Sequence, residues 1–162
     1  MKRIGYLYDK IVSVENCRQA IINASKGKMQ RRMVQKVLEH VDDYAADLSA
    51  RLQRLNFLTP YTTRVISDGL SGKQRELQIP NFYPDQCAHH AIVRVVQPIF
   101  MRSAYHWSCA NIPGRGIDHA CKGVERATMR DLKHDKYCVK MDIRKFYPSI
   151  PHDRLKARLR EK

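Results

Sequence analysis

The sequence is short of acid: 16 Asp and Glu stand against 30 Lys and Arg over 162 residues, a formal charge of +14 and a pI near 9.8. Such a surface favours polyanions. Charge alone leaves open a basic soluble fold with no special partner and a protein that lies on a membrane surface. Long apolar runs are also lacking, which excludes a predicted membrane span, and the Met1 region has no apolar stretch of the kind a secretory signal needs. Cysteine is sparse and unpaired in pattern: Cys17, Cys87, Cys109, Cys121 and Cys138 form no C-x-x-C. Although His89, His90, His106 and His119 lie near some of them, the spacings match no zinc finger or ribbon. Scattered thiols of odd number predict a reduced, cytoplasmic setting. No repeat or low-complexity tract is present.

What is there divides into three stretches. Ser13 is placed to cap a helix whose apolar positions Val14, Cys17, Ile21 and Ala24 recur at intervals of three and four. After a break at Ser25-Lys26-Gly27-Lys28, a second stripe runs through Met33, Val37, Val41, Tyr44, Leu48, Leu52 and Leu55 with Arg31, Arg32, Lys36, Glu39 and Asp43 outside it. It predicts one long amphipathic helix ending near Pro60. From Tyr61 the pattern becomes extended: Thr62, Thr63, Val65 and Ile66, then the turn formers Asp68-Gly69 and Ser71-Gly72, then Gln74 to Ile79. This is a hairpin.

Pro84 and Asp85 open a helix carrying Ala88, Ala91, Ile92, Val95 and Ile99 on one face, with Pro98 at its end or at a kink. Its adjacent His89 and His90 point about 100° apart and do not readily chelate one ion together. Ile112-Pro113-Gly114-Arg115-Gly116 reads as a tight turn, and Ile117, Ala120, Cys121, Val124 and Leu132 predict the next helix. A strand is expected over Tyr137–Ile143, with Tyr137, Val139, Met141 and Ile143 on one face and Cys138, Lys140 and Asp142 on the other. A short basic helix from His152 toward Glu161 closes the chain.

The chemistry concentrates in Tyr137-Cys-Val-Lys-Met-Asp142-Ile-Arg-Lys-Phe146-Tyr147-Pro-Ser-Ile150. A buried strand that delivers one carboxylate, with an aromatic five residues on, suits an oxygen-ligated metal beside a sugar pocket. An isolated strand-end Asp more often caps a turn. Upstream, Lys73 and Arg75 lie two residues apart in Gly72-Lys-Gln-Arg-Glu-Leu-Gln-Ile-Pro80, so on a strand they face one side and can clamp a polyphosphate. A Gly-rich turn that opens a helix, as at Arg115, presents backbone amides to phosphate.

These segments, in this order, resemble reverse transcriptases of the bacterial and phage retroelement type. Asp142-Ile-Arg-Lys-Phe-Tyr-Pro-Ser-Ile is similar to their first palm motif, and Gly72 to Pro80 to their fingers hairpin. Asn81-Phe-Tyr-Pro-Asp-Gln86 through Phe100 is similar to their fingers helix, and Ile112 to Ile117 to the Gly-Arg turn after it. The Ser-Cys-Ala110-Asn run departs from the Gly-Phe-Arg many relatives carry there. The resemblance covers residues 72 to 150 well and 1 to 60 hardly at all. Together with the helical region read from apolar spacing over 1–60, it implies an α+β fold with a fingers subdomain over 61–136 and the start of a palm over 137–162.

The resemblance also implies roles. Asp142 and the carbonyl of Ile143 hold Mg²⁺, with Mn²⁺ as the alternative; Tyr147 is the gate that excludes a ribose 2′-hydroxyl; Lys73 and Arg75 hold the triphosphate; Arg115 touches template or nucleotide. The partners implied are an RNA template, a DNA or RNA primer and a deoxynucleoside triphosphate, with no membrane. The family's remaining carboxylates come from an aromatic-X-Asp-Asp hairpin. None follows Asp142, and Asp42-Asp43 precede it on the amphipathic helix. The expectation is a fragment, a truncated product or one piece of a split enzyme whose remaining palm and thumb lie in a further portion or a partner chain, with an exposed apolar edge prone to self-association. The rival classes are a non-catalytic basic RNA- or DNA-binding module and a metal-dependent nuclease. Two-metal phosphoryl transfer needs more carboxylate than Asp142 alone. The chain by itself, given Mg²⁺, template–primer and deoxynucleotides, is therefore predicted to extend no primer; extension abolished by Asp142→Ala would contradict this.

Overall fold

The computed structural model describes residues 4–56, 59–67, 72, 74–130 and 137–161. It is mixed helix and strand, with one two-stranded antiparallel sheet among the described residues. One compact unit spans Gly5–Met101, and a second takes in Ile4 and the chain from Arg102 onward.

In the first unit, α1 (Leu7–Val12) leads through Ser13 into α2 (Val14–Ser25). The Ser13 hydroxyl accepts a hydrogen bond from the Asn16 N–H, so the expected cap forms. Cys17, Ala20, Ile21 and Ala24 are buried on α2, a face at helical spacing, and α2 packs on both α4 (Val41–Gln53) and α5 (Cys87–Met101). Full burial of side chains such as Ile21 and Leu48 contributes roughly 1.5–3 kcal/mol each. Gly27 ends the turn after α2 in the left-handed region at φ +72°.

The long helix expected over residues 31–55 is two helices, α3 (Arg32–Glu39) and α4, with His40 non-helical between them at φ −123° and ψ 41°. The reason lies in charge at the ends. Asp42 and Asp43 occupy the first turn of α4 and Lys36 the last turn of α3, each favourable to a helix terminus there. Val34, Val37, Ala45, Leu48 and Leu52 are buried, whereas Met33 and Leu55, both expected in the stripe, are 56% and 70% exposed. Leu55 has left the helix at φ +53°.

The hairpin forms as expected, from β1 (Thr62–Ser67) and β2 (Gln74–Ile79), paired from Thr62↔Ile79 to Ser67↔Gln74. Its turn residues Asp68-Gly69 and Ser71 lie outside the described residues. After β2 a wide turn, Phe82–Gln86, feeds α5; Tyr83 is extended within it and the Tyr83–Pro84 bond is cis. Pro98 lies inside α5, which continues to Met101. Residues on either side of position 60 share one core: Asn16 Nδ2 donates to the Ala91 carbonyl at 3.0 Å, and the Tyr83 hydroxyl donates to the Tyr44 carbonyl at 3.0 Å.

In the second unit, Gly114 at φ +74° closes the expected turn, α6 (Ile117–Arg130) follows it, and α7 (Phe146–Ser149) and α8 (His152–Glu161) come after. Leu132, placed at the end of the α6 stripe, lies outside the described residues. The first palm strand expected over Tyr137–Ile143 does not form. These residues are irregular, with Tyr137, Val139, Met141 and Ile143 exposed. A strand requires a neighbour to satisfy its N–H and C=O groups, and no second strand lies beside this stretch among the described residues.

Burial pushes the Cys17 thiol from 9.0 up to about 11. Burial, opposed by Lys28, pushes Cys87 up to about 12. The folded state thus holds these protons after the unfolded chain has lost them. This contribution to stability is complete below about pH 9 and is lost as pH rises through 11 to 12. Denaturant unfolding at a series of alkaline pH values is expected to show that decline, shallower in the Cys17→Ala, Cys87→Ala double variant. A thiol reagent at pH 8 is expected to label the exposed Cys121 and Cys138 at once and the buried pair only on unfolding.

Candidate functional site

The hairpin begins and ends on one anchor. The buried Asp85 carboxylate accepts hydrogen bonds from the Thr59 hydroxyl, just before β1, and from the Asn81 N–H, just after β2, the latter at 2.9 Å. Asn81 Nδ2 donates to Thr59 Oγ1 at 3.2 Å and to the Pro60 carbonyl at 3.3 Å. From that base the two strands extend with side chains exposed, apart from a half-buried Ile79.

The register decides which cations share a face. Arg64 pairs with Leu77 and Ile66 with Arg75, so Arg64 and Arg75 are diagonal neighbours on one side of the ribbon. Arg64 and Arg75 are eleven positions apart in the chain, so only the strand pairing brings them together. The signal the residues carry is the i, i+2 spacing of Arg64 and Ile66, which puts both on one face of β1. Lys73 lies outside the described residues.

In the second unit the site residues are spread along the chain. Arg115 Nη1 donates to the carbonyls of Tyr105 at 2.8 Å and His106 at 3.2 Å, so this guanidinium ties down its own loop. Asp142 is exposed in the irregular stretch, and Ile143 is 64% exposed. Tyr147 is 76% exposed on α7 beside Phe146, their rings 5.3 Å apart and edge to face. Phe146 is itself 48% exposed. The structure brings Arg64 and Arg75 together; it does not gather Arg115, Asp142 and Tyr147 by any hydrogen bond or ring contact.

No protein-family model matches this chain, and no curated protein sequence matches it.

The residues present can be set against the metal that the resemblance implies. Two Mg²⁺ ions about 3.5–4 Å apart require several hard oxygen ligands. Asp142 brings one carboxylate, and among the described residues no three His, Cys, Asp or Glu side chains converge on a point. Among the described residues, the donor set by itself does not make up a two-metal centre. Asp42, half of the adjacent pair, is engaged elsewhere: it accepts a hydrogen bond from Arg18 Nε at 2.7 Å. Asp43 is exposed in the first turn of α4. His90 is half-buried, and burial followed by the charge of Lys28 holds it below the usual imidazole range. Among the described residues, no helix is long and apolar enough to cross a membrane.

The Arg115 tie is directly testable. Arg115→Ala is expected to make the loop from Arg102 to Gly116 more open to protease by about fivefold, equivalent to about 1 kcal/mol. Protection of the Gly5–Met101 unit should be unchanged. Equal cleavage of both proteins would show that the guanidinium is not what holds the loop.

Proposed function

We propose that this chain is the fingers and first palm segment of an RNA-directed DNA polymerase, and that its own task is to grip template, primer and incoming nucleotide through phosphate. The observation that carries the reading is the hairpin face on which Arg64 and Arg75 are neighbours, standing ahead of the fingers helix, the Gly-Arg turn and the Asp142–Tyr147 segment in that chain order. Two forked guanidinium groups on a ribbon are suited to bidentate contact with a triphosphate or a strand backbone. Lys73 adds a third cation to the same hairpin sequence.

In this reading Tyr147 faces the sugar of the nucleotide, and Asp142 with the Ile143 carbonyl supplies part of a metal-binding set. The remaining carboxylates come from outside these residues, and the stretch Tyr137–Ile143 becomes a strand when palm strands pair with it. The residues of this chain hold the substrates in place.

A second reading is favoured because no other carboxylate joins Asp142 in a ligand cluster among the described residues: a basic RNA- or DNA-binding module that keeps the fingers and performs no chemistry. The two readings agree on nucleic acid and differ on the nucleotide.

Binding of an RNA–DNA hybrid across a salt series addresses both. Affinity is expected to fall linearly in log–log form, each phosphate contact contributing about 0.7–0.9 to the slope, and the Arg64→Ala, Arg75→Ala double variant should lower the slope by about 2. With hybrid bound, a fluorescent deoxynucleoside triphosphate should also bind the wild-type chain and be weakened in the double variant. Hybrid binding without nucleotide binding would favour the module. A salt-independent or absent interaction with hybrid would remove both readings.

A further inference from the structure

We infer that the groove between Tyr105–Trp107 and α6 is a stacking site for an unpaired base of a single-stranded nucleic acid, an inference that rests on the nucleic-acid reading above. The groove is a cavity of about 420 Å³ lined by Tyr105, Trp107, Ala120, Gly123, Val124 and Ala127. That volume falls within the range of clefts that hold small ligands, roughly 300–1,000 Å³.

Its walls are built for a flat ring. Ala120, Gly123 and Ala127 follow one another at helical spacing along α6, giving a floor with almost no side chain. The Trp107 indole lies so close to this floor that a Cβ at position 123 would stand 2.5 Å from Cε3 and 2.6 Å from Cζ3. Only glycine admits the ring there.

The indole is also held from its flanks. The His106 ring meets it edge to face at 4.5 Å, and the His119 ring lies at 5.2 Å. The backbone carbonyls of the two residues before it are fixed by Arg115, and His119 Nε2 lies 3.1 Å from the His106 carbonyl oxygen. This arrangement fixes the ring before any ligand arrives.

What the packing leaves open is as telling. Tyr105 is 70% exposed and Val124 is 63% exposed, so an aromatic and an aliphatic side chain line the groove with much of their surface uncovered by the described residues. The Arg126 guanidinium stands 6.0 Å from the Trp107 ring centroid, and Lys122, Arg126 and Arg130 line the next groove of the same helix along with Glu125 and Met129.

An apolar aromatic slot bordered by cations matches a base with its phosphates alongside. An acidic peptide would satisfy the cations and leave the slot without a ring to receive. A duplex hides its base faces, so the strand must be single.

Trp107 is the only tryptophan in the chain, so its fluorescence reports on this slot alone. The intact chain is titrated with a short single-stranded oligonucleotide, an abasic strand of equal length and a duplex, with binding followed independently by anisotropy of the labelled strand. Expected is saturable quenching of Trp107 by the strand that carries bases, and none by the abasic strand or the duplex. Tyr105→Ala, an exposed position, should weaken single-strand affinity on the order of 5- to 100-fold. Gly123→Ala should displace the indole and abolish the quenching. Binding without any change in Trp107 emission, equal affinity for the abasic strand, or an unaffected Tyr105→Ala variant would overturn the stacking site while leaving the nucleic-acid reading intact. Binding of no strand at all would overturn both.

Discussion

One buried carboxylate closes the base of the hairpin. Asp85 lies at the start of the path into α5 and is buried, yet both legs of the β1–β2 ribbon end on it, through the Thr59 hydroxyl and the Asn81 amide. A polar group buried to that extent is tolerated because its oxygens are hydrogen-bonded. A two-stranded ribbon is at best marginally stable alone in water. What makes this one part of the fold is the fixed distance between its ends, set by a residue that belongs to the helical core.

From that anchor the logic of the Gly5–Met101 unit runs inward. Close to Asp85 in sequence, Phe82 and Cys87 are buried in the same core as Ala88 and Ala91, and α5 packs on α2. The same turn carries Tyr83, whose hydroxyl reaches the Asp47 carboxylate at 2.6 Å on α4. Burial, then the hydrogen bond to Asp47, raises the Tyr83 phenol above its ordinary range. Asp47 also pairs with Arg51 at 2.6 Å one helical turn along, an exposed pair of small energetic weight. The cation-bearing ribbon therefore stands on a core that α1 to α5 and the Phe82–Gln86 turn complete together.

Much of this was legible in the residues, and the failures are as physical as the successes. Ser13 declared its helix because a hydroxyl at that place meets an otherwise unpaired N–H. The hairpin was legible because β-branched residues met turn formers at short range. The break at His40 was not, since Val34, Val37, Val41, Ala45, Leu48 and Leu52 keep a spacing that a continuous helix also satisfies, and Asp42 and Asp43 suit a helix start only once the break is known. The Tyr137–Ile143 stretch failed for a different reason: alternation specifies which side chains share a face, but a strand exists only when another strand pairs with it. For the site, Lys73 and Arg75 were found by adjacency in sequence. Arg64 required register, and the seating of Trp107 on Gly123 required a three-dimensional approach that no spacing rule encodes.

The exposure of the ribbon carries a consequence for how this protein can change over generations. Every described side chain of β1, and all but Ile79 of β2, lies outside the core, while the ribbon's attachment depends on Thr59, Asn81 and Asp85. Substitutions along the strands therefore leave the packing of α2, α4 and α5 untouched and register in what the ribbon meets. Selection on charge and shape at the tips can proceed with little penalty in folding, whereas the three residues at the base are held by the architecture. The molecule thus separates a variable surface from a fixed mount, and drift is free on one side of residues 59 and 81 and constrained on the other.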